Sequence, residues 1–86
     1  QCIMTDVWLS MGEKNKNKYK LFRGFTVNYK IMQSASSKAI FMHCLPAKRN
    51  QEVTSEVLDG NNSVVLQQAQ NRMYIQQAIL VYVLKN

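Results

Sequence analysis

Three short stretches carry the residue types that could do chemistry. DVWLSMG, Asp6 to Gly12, sets a carboxylate, a serine and a glycine-ended loop at the end of an apolar run. Such a set can hold an ammonium group and a carboxylate. HCLP, His43 to Pro46, sets a histidine beside a cysteine, the types that serve as base and nucleophile. QNR, Gln70 to Arg72, sets an arginine near the start of a long helical pattern. There it suits an anion or a polarised carbonyl oxygen. Each stretch also has a plainer reading. On spacing alone, a strand-to-helix turn capped by Asp and Ser accounts for the first better than a site does. A surface arginine accounts better for the third. For the second, chemistry and a buried Cys beside a structural His stand even. Adjacent strand residues point to opposite faces, which disfavours a direct Cys–His dyad unless the backbone bends at the proline.

The elements that must position these residues alternate. CIMTDVW predicts a strand ending in a polar turn, and residues 13–23 a Lys-rich helix stopped by Gly24. FTV is a short extended piece, and NYKIMQSAS a short helix opened by Asn28 as its cap. AIFMHCL predicts a nearly all-apolar strand covered on both faces and stopped by Pro46. VTSEVLDG predicts a helical turn ending at Gly60, SVVL a third short strand, and residues 67–86 a long amphipathic helix. The fold class is α/β: a partial open, mostly parallel, Rossmann-like sheet with flanking helices and a long C-terminal helix. In such sheets ligands bind outside the carboxyl ends of the strands. That rule independently selects Asp6 onward, His43 to Pro46, and the turn leading to Asn71 and Arg72.

Composition narrows the classes. The 86 residues are 47% hydrophobic and 19% charged, which is globular and not disordered. The net charge of +6 is concentrated in Lys14, Lys16, Lys18, Lys20, Arg23 and Lys30. Interleaved with Asn and with no nucleic-acid motif, these read as a solvated helix face, so no nucleic-acid partner is expected. No apolar run approaches the ~20 residues of a membrane span and no signal peptide is evident, so no membrane association is expected. Cys2 and Cys44 each sit in an apolar stretch, which suits buried strands in a reducing compartment. One His without CxxC gives no zinc-ligand spacing. The chain opens from Gln1 on an apolar run, the pattern of a chain beginning inside a domain, although a processed N-terminus gives the same pattern.

Taken together, TDVWLSMGE, FMHCLPAKRN with EVTSEVLDG, and SVVLQQAQNR before a long helix resemble the C-terminal region of ornithine carbamoyltransferases, in the family's order and spacing. HCLP is typical of the ornithine-type transcarbamylases, and SMG belongs to the loop that closes over ornithine. The resemblance implies carbamoyl transfer from carbamoyl phosphate to L-ornithine, giving L-citrulline and phosphate, with no cofactor and no metal. It implies that Asp6, Ser10 and Met11 hold the amino-acid end of ornithine, and that Cys44, with Asp6, lies near its side-chain amine as proton acceptor. His43, Cys44, Leu45 through its backbone, and Arg72 would meet the carbamoyl group. The catalytic set is then Cys44, Asp6, His43 and Arg72. Residues 1–86 would form the C-terminal part of the ornithine-binding domain. The family's Ser-x-Arg-Thr-Arg and HPxQ motifs, which bind carbamoyl phosphate, do not occur here, so the carbamoyl phosphate-binding domain is absent and the fragment alone is expected to be inactive. The full-length protein would be a homotrimer, cytoplasmic or in a eukaryote in the mitochondrial matrix. Gln70 departs from the family's usual Glu. Two other readings stay open: a sister enzyme acting on putrescine or an acylated ornithine, against which SMG argues, and a non-catalytic truncated remnant.

Overall fold

The fold is that of a computed structural model, which describes residues 1–10, 12–15 and 17–85. Its centre is a pair of parallel strands, β1 (Cys2–Thr5) and β2 (Ile40–His43), in the register Cys2↔Ile40 to Thr5↔His43. Alternation on β2 decides what is covered. Phe41 and His43 are 0% and 1% exposed, whereas Ile40 on the other face is 37% exposed. In this chain β2 is therefore covered on one face, not on both. Phe41 packs with Val27, Val53, Val57, Leu58 and Val65 into one core, with Ile3, Met32, Leu45 and Ala47 against its rim.

Short helices surround the pair. α1 (Lys18–Leu21) is shorter than the helix expected over 13–23. Asn15 Oδ1 accepts from the Asn17 amide at 3.2 Å, a local bond that competes with helical pairing before Lys18. Gly24, at φ 97°, takes the left-handed conformation that closes the segment after α1. α2 (Tyr29–Ser34) opens as expected on Asn28, whose Oδ1 accepts from the Ile31 amide at 3.0 Å. FTV pairs only through a parallel bridge between Val27 and Val53. α3 (Ser55–Leu58) buries Val57 and Leu58, and α4 (Val65–Lys85) begins two residues earlier than expected.

The third strand expected at SVVL is reduced to one parallel bridge, Phe41↔Ser63. The Phe41 amide donates to Asn62 O (2.8 Å) and Phe41 O accepts from the Val64 amide (3.0 Å). Val64 then accepts from the Gln68 amide at 2.8 Å, so the chain has already turned into α4. A valine run suits strand and buried helix start alike; packing, not propensity, decided this one. Both cysteines are exposed, contrary to the buried strand positions expected. Cys2 lies on the open face of β1, and Cys44 lies just past the end of β2. Among the described residues no helix is long and apolar enough to cross a membrane.

Candidate functional site

The parallel register builds the site. Because Thr5 pairs with His43, the next residues, Asp6 and Cys44, leave neighbouring strand ends side by side. The Cys44 thiol donates to Asp6 Oδ1 at 3.2 Å, across 38 positions of sequence. The Val7 amide donates to the same oxygen at 2.7 Å. The two bonds, with the field of His43, hold the Asp6 carboxyl below the usual carboxylate range. The Cys44 thiol moves the other way. Its hydrogen bond to Asp6 comes first, followed by partial burial and the charge of Asp6, and together they push it up; the charge of Arg72 offsets part of this. At neutral pH the pair therefore holds its charge on Asp6 and its proton on Cys44.

His43 occupies a different environment from its neighbour, as strand alternation requires. Its ring is buried, and both nitrogens are engaged. Nδ1 accepts from the Leu45 amide at 2.8 Å, which assigns the ring proton to Nε2. Nε2 then donates to Glu52 Oε1 at 2.8 Å, and the same oxygen accepts from the Lys48 amide at 2.7 Å. Glu52 is fully buried, and its Oε2 has no hydrogen-bond partner among the described residues. Asn50, at φ 65°, makes the reversal that brings Glu52 back beneath His43, with its amide donating to Val53 O at 2.7 Å; Asn tolerates this left-handed conformation better than most residues. Leu45 is also left-handed, at φ 55°, and precedes a cis peptide bond to Pro46. A left-handed leucine costs on the order of 1–2 kcal/mol and persists only where its surroundings impose it. The imidazole that holds its amide is one such constraint.

The remaining expected residues fall around this centre. Ser10 lies in a turn closed by Glu13: the Ser10 amide donates to Glu13 Oε2, the Glu13 amide donates to Ser10 O, both at 3.0 Å, and Glu13 pairs with Lys18. The turn is tied back by Trp8, which stacks on Phe22 at 6.0 Å and meets Tyr19 at 6.5 Å. Met11 lies outside the described residues. Arg72 is exposed on α4, one turn after Gln68. Gln70 Nε2 donates to the Tyr74 hydroxyl at 3.1 Å.

Asp6, His43 and Cys44 thus converge, with one donor atom from each within 4.8 Å of the others. Linear spacing could not show this convergence, because it depends on strand pairing. The direct Cys–His dyad does not form: the thiol goes to Asp6 and the imidazole to Glu52. Glu52 is the residue that sequence reasoning missed. The one available signal was a single His at a strand end needing a partner, with a Glu nine positions on.

The profile of the aspartate/ornithine carbamoyltransferase Asp/Orn binding domain matches residues 1–83. The chain belongs to this family. Within the carbamoyltransferases, it is 50% identical over 84 residues to the ornithine carbamoyltransferase of Nitrobacter winogradskyi, covering 96% of this chain and 27% of that protein. Among solved structures it superposes on the anabolic ornithine carbamoyltransferase of Campylobacter jejuni with a TM-score of 0.91 at 39% identity, covering 99% of this chain and 28% of that one. The ornithine carbamoyltransferase of Pyrococcus furiosus gives 0.83 at 48% identity, over 92% and 26%. The chain therefore spans about a quarter of the length of the relatives it matches, and its α/β fold is theirs.

Proposed function

We propose that the chain is the C-terminal part of the ornithine-binding domain of an ornithine carbamoyltransferase, which transfers the carbamoyl group of carbamoyl phosphate to the side-chain amine of L-ornithine. The observation that carries this reading is the Asp6–Cys44 pair on adjacent parallel strand ends, one carboxylate and one thiol sharing a hydrogen bond of 3.2 Å. An alkyl ammonium has a pKa near ~10.4 and is not nucleophilic at neutral pH until it loses a proton. Asp6, ionised and exposed, attracts that ammonium. The Cys44 thiol first gives its proton to solvent, a loss that the ammonium's charge and Arg72 favour, and the thiolate then takes one proton from the ammonium. The freed amine attacks the carbamoyl carbon, the C–O bond to phosphate breaks, phosphate departs with the bonding electrons, and the new C–N nitrogen gives its second proton to the departing phosphate.

Ser10 and Met11 would hold the amino-acid end of ornithine with Asp6. Arg72 would stabilise negative charge growing on the carbamoyl oxygen, the type of contact whose removal costs about 3 kcal/mol of barrier. The buried ring of His43 favours a role through the loop it holds: fixing Leu45, it shapes the backbone that Cys44 and Leu45 would present to the carbamoyl group. The carbamoyl phosphate-binding domain is assigned to another part of the protein, consistent with the quarter-length match. The homotrimer rests on family resemblance alone, as does a location in the cytoplasm or, in a eukaryote, the mitochondrial matrix.

The test is citrulline formation by the full-length protein that carries this segment, with ornithine, putrescine and N-acetylornithine offered in parallel. Ornithine is expected to be the preferred amine. Preference for either of the others, or no turnover with any, would reject the assignment.

A further inference from the structure

We infer that Gln68 is a positioning residue: by accepting the backbone N–H of His43, it fixes the rotation of α4 about its axis and so sets where Arg72 stands relative to Asp6 and Cys44. The edge of β2 has two amides to satisfy, at Phe41 and His43. The segment 62–64 takes only the first. The chain has become helix before reaching the second, and the Gln68 side chain reaches back in its place, with Oε1 2.9 Å from the His43 nitrogen. One side chain thus stands in for the strand that ended too early.

The bond matters because α4 is otherwise weakly seated. Val65 is its buried residue. After Val65, Gln68 is the only described residue of the helix that is not exposed. A helix held at one buried point can roll about its axis, and a second tie three residues on, on the same face, prevents that. Arg72 follows Gln68 by four residues, on that face and about 6 Å further along the axis. The linkage is short: Cys44 is bonded to His43, His43 to Gln68, and Gln68 lies one turn from Arg72. The charge of Arg72 is felt at the Cys44 thiol, so the two are within electrostatic reach.

The kinetic arm of the test rests on the carbamoyl-transfer reading; the structural arm does not. Gln68→Met keeps the side-chain length and removes the acceptor. In the full-length enzyme carrying this segment it is expected to lower kcat about tenfold and leave KM for ornithine within about twofold, as for misplacement of a group acting at the transition state. In an Arg72→Gln background the same change should alter kcat by less than about twofold, since Gln68 acts through Arg72. Independent, multiplying losses would overturn the inference. In the same full-length protein, Gln68→Met should speed hydrogen exchange at the His43 amide at least about tenfold and leave the Phe41 amide nearly unchanged, because only the first loses its acceptor. Unchanged exchange at His43 would overturn the inference whatever the kinetics. A wild-type enzyme without carbamoyl transfer would sink the functional reading, and the exchange result would still decide this one. If Gln68→Met fails to fold, Gln68→Ala, the best helix former, replaces it in both arms.

Discussion

The segment from Phe41 to Val65 and the helix that follows it treat polarity in opposite ways. The first buries a histidine and a glutamate at 1% and 0% exposure, among Phe41, Val53, Val57 and Leu58. The second leaves Ile75, Ile79, Leu80, Val81, Tyr82 and Val83 all more than half exposed. Burial in this molecule thus follows hydrogen-bond geometry as much as side-chain polarity. His43 has both ring nitrogens paired inside, and Glu52 Oε1 accepts from the imidazole and from the Lys48 amide, although its Oε2 has no partner among the described residues. From Ala78 to Leu84 every residue is apolar, so the amphipathic pattern expected of α4 gives way there to one that is apolar all round, and among the described residues Val65 in the first turn is the one of α4 buried in the core. A helix apolar on most sides is one that packs against neighbours on most sides.

The sharpest way to break this contrast is at Glu52. Glu52→Ala strips the partner from the His43 Nε2–H and from the Lys48 amide together, and at ~1–3 kcal/mol for each orphaned donor should cost about 2–6 kcal/mol in urea denaturation. Glu52→Gln, which keeps an accepting oxygen for the His43 Nε2–H and the Lys48 amide, should cost less than Glu52→Ala. An equal loss in Glu52→Gln would show that Glu52 stabilises by its charge and not by accepting these two bonds.

Next in size is the exposed pair. Cys44→Ala in the full-length enzyme should lower turnover by about 100-fold or more, the range for a lost proton acceptor, with carbamoyl phosphate binding unchanged by calorimetry. Near-normal turnover would leave Cys44 a bystander. The same pair gives a pH signature. Folding raises the affinity of Cys44 for its proton, so its contribution to stability is present below the unfolded thiol pKa and is lost as pH rises through the folded value. Site-resolved alkylation by iodoacetamide should reach its midpoint at higher pH than in an unstructured peptide. Asp6→Asn, which removes the charge, should move that midpoint down.

Smaller effects belong to the surface. Arg49 makes a two-pronged contact with Asp59, at 2.6 and 3.0 Å, but both side chains are more than half exposed. Arg49→Ala should lower the urea midpoint only slightly, and the difference should disappear in high salt. Smallest of all, Ile79→Ala in the 86-residue chain should change stability by less than about 0.5 kcal/mol. In the full-length protein the same change should cost about 2–5 kcal/mol if the helix is enclosed there. Equal values in the two settings would show that α4 stays uncovered.

Much of this was legible in the sequence, for local reasons. Asn28 as a helix cap, Gly24 after a helix and the long final helix each follow from the chemistry of one or two residues and their neighbours, whereas β2 ends at His43, three residues before the Pro46 expected to stop it. The α/β class follows from the alternation of such elements. The two-residue strand period argued against a direct His43–Cys44 dyad, and the two side chains do take different partners, Glu52 and Asp6. The joint pattern of SMG, HCLP and QNR identified the family. What lay beyond reach depends on partners distant in sequence. The placement of Asp6 beside Cys44 needed the parallel register of β1 and β2. The burial of Glu52 needed the reversal at Asn50. SVVL was undecidable locally because valines suit either state, and Gln68 looked like any surface glutamine until the edge of β2 left the His43 amide without a strand to meet it. Side-chain type and period fix what each short stretch can be. Which polar group meets which is set only when the chain closes on itself, because a buried donor must find an acceptor wherever the fold happens to bring one.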